Sequence, residues 1–120
     1  MASILVVDDS TTMRQMVTFT LTAAGHKVAE ASDGEEALAV ASDKKFDLVI
    51  TDINMPRLDG ISLIKRLRAK AEFKFTPILT LTTEFQDEKK REGKAAGATG
   101  WIVKPFNPDS LLAVLNKVLG

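Results

Sequence analysis

Four stretches of the chain are apolar runs that stop on polar residues. Ile4-Leu5-Val6-Val7 ends at Asp8-Asp9, Leu48-Val49-Ile50 at Thr51-Asp52, Ile78 to Leu81 at Thr82-Thr83, and Trp101-Ile102-Val103 at Lys104-Pro105. Short, partly β-branched runs with little polar alternation fit strands buried on both faces, as in a parallel sheet. Residues 27–30 make a weaker fifth strand. Between the runs the spacing turns helical. Met13, Met16, Val17, Thr20, Leu21 and Ala24 recur on one face until Gly25 stops them, and the two methionines read as core filling. Ser32 and Glu35 have capping-box spacing ahead of Ala37, Leu38 and Ala41, predicting a helix that ends near Asp43-Lys44. Pro56 and Asp59-Gly60 are turn residues. After them Ile61, Ile64 and Leu67 give a third helix its inward face, with Lys65, Arg66 and Arg68 outside. Thr83 and Gln86 repeat the capping-box spacing before a fourth helix, 86–94, which has almost no apolar face and is expected to be the least anchored. Asn107 caps a fifth helix with Pro108 at its first position, and Leu111, Leu112, Leu115, Val118 and Leu119 form its stripe.

The pattern is βα repeated five times, with no linker, internal repeat or low-complexity tract. It predicts a single α/β domain over residues 1–120: a doubly wound parallel five-stranded sheet with helices on both faces. Right-handed crossovers then place the C-terminal end of every strand on one edge, where open α/β sheets bind ligands. Which strands are neighbours does not follow from the pattern.

Composition narrows the setting. At 120 residues the chain buries enough surface to fold without a metal or disulfide. Sixteen basic and sixteen acidic residues cancel, so no broad field draws nucleic acid or membrane. Cysteine is absent, which excludes thiol catalysis and suits a reducing compartment. No signal-peptide pattern opens the chain, and no apolar run approaches ~18 residues. The expectation is a small soluble cytoplasmic monomer.

The chemistry sits in the residues that close the strands. Asp8-Asp9, Asp52, Thr82-Thr83 and Lys104-Pro105 are distant in sequence yet must share one rim of the sheet. Each has a plain reading alone: a helix cap, a turn residue, a helix start, a loop. Four unrelated loops would not select matching charges, however. Two carboxylates ~4 Å apart repel by about 4 kcal/mol at an effective dielectric near 20, so such a cluster needs a cation, a shared proton or separation. Oxygen-only ligands favour a hard ion such as Mg²⁺, Lys104 supplies a fixed positive charge, and Thr82 or Thr83 a hydroxyl donor. These are parts for phosphoryl transfer onto a carboxylate. His26, the one histidine, lies beside Gly25 and reads as a solvated loop residue, badly placed to be a phosphohistidine donor. Two rivals lose ground on the same residues. A phosphatase with an aspartyl-phosphate intermediate, of the haloacid dehalogenase type, has a general acid where Asn54 stands. A flavodoxin-like cofactor binder needs a phosphate-cradling loop where Asp8-Asp9 stand.

Taken together, Leu5-Val6-Val7-Asp8-Asp9-Ser10, Asp52-Ile53-Asn54-Met55-Pro56 with Asp59-Gly60, Leu81-Thr82, and Val103-Lys104-Pro105-Phe106 resemble the receiver domain of bacterial two-component response regulators, in particular its stand-alone chemotaxis type. The resemblance covers the whole chain, and it is the source of the expected strand order 2-1-3-4-5. It implies that Asp52 takes a phosphoryl group from a phosphohistidine on a sensor histidine kinase. Asp8, Asp9, Asp52 and the backbone carbonyl of Asn54 would arrange Mg²⁺. Lys104 would pair with the phosphoryl oxygens, Pro105 would follow a cis peptide bond, and Thr82 would swing toward the phosphate with Trp101 following inward. The fourth helix, fifth strand and fifth helix would then change their affinity for a downstream partner such as a flagellar motor switch. Asn54 and Glu84 would tune phosphoryl lifetime, implying fairly rapid self-dephosphorylation. A phosphate sink or relay intermediate is the alternative role. Two departures stand out: Trp101 where tyrosine or phenylalanine is commoner, and Lys89, Lys90, Arg91 and Lys94 where chemotaxis regulators often show an apolar contact. The second departure weakens the case for a motor switch and favours an acidic partner.

Overall fold

Every apolar run becomes a strand, and the alternation hidden within each run sorts the core into two layers. The computed structural model describes residues 2–82, 87–104 and 106–119. Its elements follow in order β1 (Ser3–Val7), α1 (Thr11–Ala23), β2 (Lys27–Ala31), α2 (Gly34–Asp43), β3 (Leu48–Asp52), α3 (Gly60–Arg68), a 3₁₀ turn (Ala71–Phe73), β4 (Ile78–Thr82), α4 (Asp87–Ala96), β5 (Gly100–Val103) and α5 (Pro108–Leu119). All strand pairs are parallel, in the order β2-β1-β3-β4-β5. Leu5, Val7, Val49 and Ile78 point to one face with Leu63, Ile64, Leu67 and Phe73. Ile4, Val6, Leu48, Ile50, Leu79 and Leu81 point to the other, against Val17, Leu21, Leu111 and Leu115. Because successive strand residues face opposite sides, burial on both faces demands the unbroken apolar run seen in the sequence.

The caps show where sequence spacing placed boundaries well and where it slipped. Asn107 Oδ1 accepts from the Asp109 and Ser110 amides ahead of α5, as expected. Ser10, rather than Asp8 or Asp9, caps α1 by accepting from Met13 N at 3.2 Å. The α2 cap is Asp33 and not Ser32: Asp33 Oδ1 accepts from Glu36 N at 2.8 Å, and Glu36 reaches back to Ser32 N. The expected Ser32–Glu35 box is not formed: Asp33 takes the Glu36 amide, and the Glu36 carboxylate returns to the amide one residue before the cap. Asp33 is buried, and its other oxygen lies 3.5 Å from Arg57 Nε. The Thr83–Gln86 box lies outside the described residues.

Packing corrects three further expectations. Met16 is 48% exposed, and the buried residues of α1 are Val17 and Leu21. Arg68 is not on the outer face of α3, since its guanidinium turns back onto four backbone carbonyls. His26 is half-buried and accepts the Ala2 amide at Nδ1, 3.1 Å away, so it ties down the start of β1. The α3 N-terminus is pressed onto the end of β3. Gly60 donates to Ile53 O at 2.8 Å, and a Cβ there would fall 2.1 Å from the Asp52 carbonyl oxygen, so only glycine fits. That close approach fixes the backbone on which Asp52 stands.

Candidate functional site at the C-terminal edge of the sheet

β1 and β3 are neighbours with Val7 opposite Thr51, so the next residues, Asp8 and Asp52, meet where the strand order reverses. Asp8 is fully buried and Asp52 nearly so, while Asp9 is exposed. One carboxylate oxygen from each of the three lies within 4.8 Å of the others. Lys104, from the loop after β5, reaches across the end of β4 to place Nζ 2.9 Å from Asp8 Oδ2 and 3.5 Å from Asp52 Oδ1. Asp8 Oδ1 accepts from Ser10 N, and Asp52 Oδ1 accepts from Ile53 N at 2.8 Å. Asp8 Oδ2 is different: it is buried and has no aligned hydrogen-bond donor among the described residues, and the Lys104 ammonium lies 2.9 Å away.

Electrostatics follow from this placement. Burial pushes the Asp52 carboxyl from 3.8 up to about 6. Lys104 opposes the rise, Asp8 and Asp9 add to it, and the Ile53 amide opposes it again. The lysine therefore offsets only part of the cost of ionising a carboxylate in a dry, acidic cluster. Three carboxylates face one ammonium, leaving a negative excess and an oxygen with spare acceptor capacity. That donor set fits a hard divalent cation such as Mg²⁺, which takes oxygen ligands and few protein groups.

Of the residues singled out from the sequence, the structure brings together Asp8, Asp9, Asp52 and Lys104. Asn54 is exposed two residues beyond β3. Thr82 ends β4, though its side chain lies outside the description; Glu84 and Pro105 lie outside the described residues altogether. Trp101 is 43% exposed on β5, with Lys90 Nζ 4.9 Å above its ring. Sequence reading missed Arg14. Its Nη1 donates to the Asp8 carbonyl at 2.6 Å and its Nε to Glu30 Oε1 at 2.9 Å, pinning the acidic loop to β2. The available signal was a cation one residue past Met13 and three before Val17, on the inward side of α1. Arg14→Ala is expected to lower unfolding free energy by about 1.5–2 kcal/mol, because the charged donor to Asp8 O is lost. Glu30→Ala should cost under ~1 kcal/mol, since the pair it breaks is partly exposed. Urea titrations of the two variants test the difference.

The rim combines carboxylates suited to a hard cation with a lysine suited to an anion. The chain belongs to the response regulator receiver domain family, whose model matches residues 4–116. Chemotaxis protein CheY-3 of Vibrio cholerae is 43% identical over 116 residues, covering 96% of this chain and 89% of that protein. The structure of the chemotaxis response regulator CheY4 of Vibrio cholerae superposes with a TM-score of 0.95 at 56% identity, covering 99% of both chains. The receiver domain of a Pseudomonas aeruginosa sensor histidine kinase, solved with a magnesium ion coordinated in its active site cleft, matches at 27% identity with a TM-score of 0.93, covering 99% of this chain and 98% of that one. The protein is thus a receiver-type signalling domain and not a classical enzyme. No helix among its described residues is long and apolar enough to cross a membrane.

Proposed function

We propose that residues 1–120 form one receiver domain that works as a phosphorylation-activated switch, with Asp52 as phosphoacceptor and a sensor histidine kinase as donor. The observation that carries this is the Lys104 ammonium lying between buried Asp8 and Asp52, with Asp9 completing the acidic cluster. Asp8, Asp9, Asp52 and the Asn54 carbonyl would hold Mg²⁺. When bound, the ion neutralises charge shared by the carboxylates and the incoming phosphoryl oxygens.

The protein's own residues do the rest. With its carboxyl at about 6, Asp52 is mostly ionised at neutral pH and offers an oxygen to phosphorus. That O–P bond forms as the N–P bond of the donor phosphohistidine breaks, and the freed imidazole nitrogen takes a proton from solvent. Lys104 moves its charge toward the arriving phosphoryl oxygens, at no cost in new desolvation because it is already buried at the site. Loss of the Lys104 contact with Asp52, together with the Thr82 hydroxyl, transmits the change to β4, β5 and the α4–β5–α5 face, where Trp101 lies. Asn54 and Glu84 set the rate at which the acyl phosphate hydrolyses. A chemotaxis role is the favoured setting, given the Vibrio cholerae relatives.

Incubation with a phosphorylated histidine kinase in Mg²⁺ tests the reading. Label is expected at Asp52, and beryllofluoride with Mg²⁺ should change the fluorescence of Trp101, the only tryptophan. Absence of label at position 52 would overturn the assignment.

A further inference from the structure

The loop that leaves β3 carries a strained turn that phosphoryl transfer alone does not call for. Arg57 has φ +66°, the one non-glycine among the described residues in the left-handed region. Leu58 N donates to Pro56 O at 2.8 Å, so Arg57 is the centre of a three-residue γ-turn of the rarer, strained hand. No local preference of arginine favours that conformation, so its surroundings hold it there. They lie at the start of α2. Gly34 N donates to Leu58 O at 3.2 Å, and a Cβ on Gly34 would fall 2.3 Å from that oxygen and 2.7 Å from Leu58 Cβ. Asp33 is buried; its Oδ1 caps α2 and its Oδ2 faces Arg57 Nε at 3.5 Å. Leu58 is buried as well. At the other end of the loop, Gly60 N holds Ile53 O at 2.8 Å. Residues 54–57 are thus strung between two fixed points, one on α3 and one on α2.

We infer that Asp33, Gly34 and Arg57 are positioning residues for the divalent cation: the start of α2 clamps the γ-turn, and the clamp fixes where the Asn54 carbonyl points. The inference rests on the reading of that carbonyl as a Mg²⁺ ligand. A backbone carbonyl has no rotamer of its own, so only the path of the chain can aim it. Asn54 is exposed and two residues beyond β3, so the sheet does not set that path. The turn at Arg57 does, and a turn under strain keeps its shape only while α2 holds it. Groups that orient a ligand without touching the metal commonly change its affinity by about 10–100-fold when removed.

Mg²⁺ titrations of the whole, unphosphorylated protein, followed by the amide chemical shifts of Asp8, Asp9 and Asp52, test the clamp in three variants. Gly34→Ala changes no charge and puts a better helix former into α2, yet its methyl group cannot fit without displacing the Leu58 backbone. Its Mg²⁺ affinity should fall by about tenfold. Arg57→Gln removes a cation, which by charge alone would tighten Mg²⁺ binding; loss of the clamp should instead weaken it by about threefold. Arg57→Lys keeps a charge for Asp33 and should return affinity toward the wild type. The Arg57 side chain is 66% exposed, so both of its variants should match the wild type in urea midpoint while glutamine alone weakens the metal. Should Gly34→Ala not fold, the Arg57 pair decides. Wild-type affinity in folded Gly34→Ala, or wild-type or tighter affinity in Arg57→Gln, would overturn the inference. A wild type with no Mg²⁺ response would refute the metal reading instead. The metal-free amide shifts of residues 53–58 in the variants would then decide the clamp, and changes confined to α2 would overturn it.

Discussion

Asp52→Asn is expected to abolish phosphoryl acceptance and, in the same protein, to raise stability at neutral pH. The first effect follows from losing the nucleophilic oxygen: label incorporation should fall by at least ~10³-fold, because no neighbouring carboxylate has the same position at the end of β3. The second follows from the raised carboxyl. Below the unfolded value of 3.8 the group is protonated in both states and contributes nothing against folding. As pH climbs through about 6, the unfolded chain has already released its proton, while the folded one must ionise Asp52 in a buried acidic cluster. Wild-type stability therefore falls across that window. A shift of this size corresponds to ~3 kcal/mol, and nearer 2 after allowance for solvent screening at the rim. Asparagine avoids the ionisation yet can keep the hydrogen bond from Ile53 N. Urea titrations should show the variant about 2 kcal/mol more stable at pH 7.5 and little different near pH 4. Mg²⁺ should narrow the gap by stabilising only the wild type. A variant less stable at both pH values would refute the account.

That conflict between stability and function is also why the site was legible before the fold was known. A carboxylate at the end of a fully apolar strand is expensive, and β1 and β3 each deliver one. The strands were equally plain, since burial on both faces removes polar residues from the run. What periodicity could not show was how polar side chains serve the backbone. Arg68 read as a surface cation and Arg14 was not singled out at all, but long stems let their charged ends reach backbone carbonyls. Met16 read as core because its spacing matches Met13 and Val17. α1 is nevertheless a surface helix with a narrower buried stripe than the sequence face suggested. The capping box of α2 slipped by one residue because Ser32 and Asp33 are both good caps; it is Asp33 that takes the Glu36 amide, while Ser32 bonds the Glu36 carboxylate.

The fourth helix also has more holding it than its charged sequence suggested, and the anchor is Arg68. Gly93 and Ala96 are buried, so α4 packs through small residues. Its C-terminus is closed by Gly97 at φ +116°, with Gly97 N and Ala98 N both bonded to Gly93 O. Arg68 Nε and Nη2 then bond Gly97 O at 3.0 and 2.8 Å, and Nη1 bonds Phe73 O and Thr76 O at 2.7 and 2.6 Å with a longer contact to Lys74 O. One side chain thus satisfies the end of α4 and the turn that leads into β4. Arg68→Met keeps the stem and removes every donor, so unfolding free energy should drop by about 2–4 kcal/mol. Arg68→Lys should recover a minority of the loss, since an ammonium cannot span carbonyls on two segments. Hydrogen exchange separates this from general destabilisation: amides of 93–99 should exchange faster than those of α1 and α5 in the methionine variant. With its C-terminal end released, α4 should also respond less sharply to beryllofluoride, because a helix fixed at one end turns a change at the sheet edge into a directed tilt. Uniform acceleration of exchange across all helices, with an unchanged Trp101 response, would show that Arg68 holds the fold and not the switch.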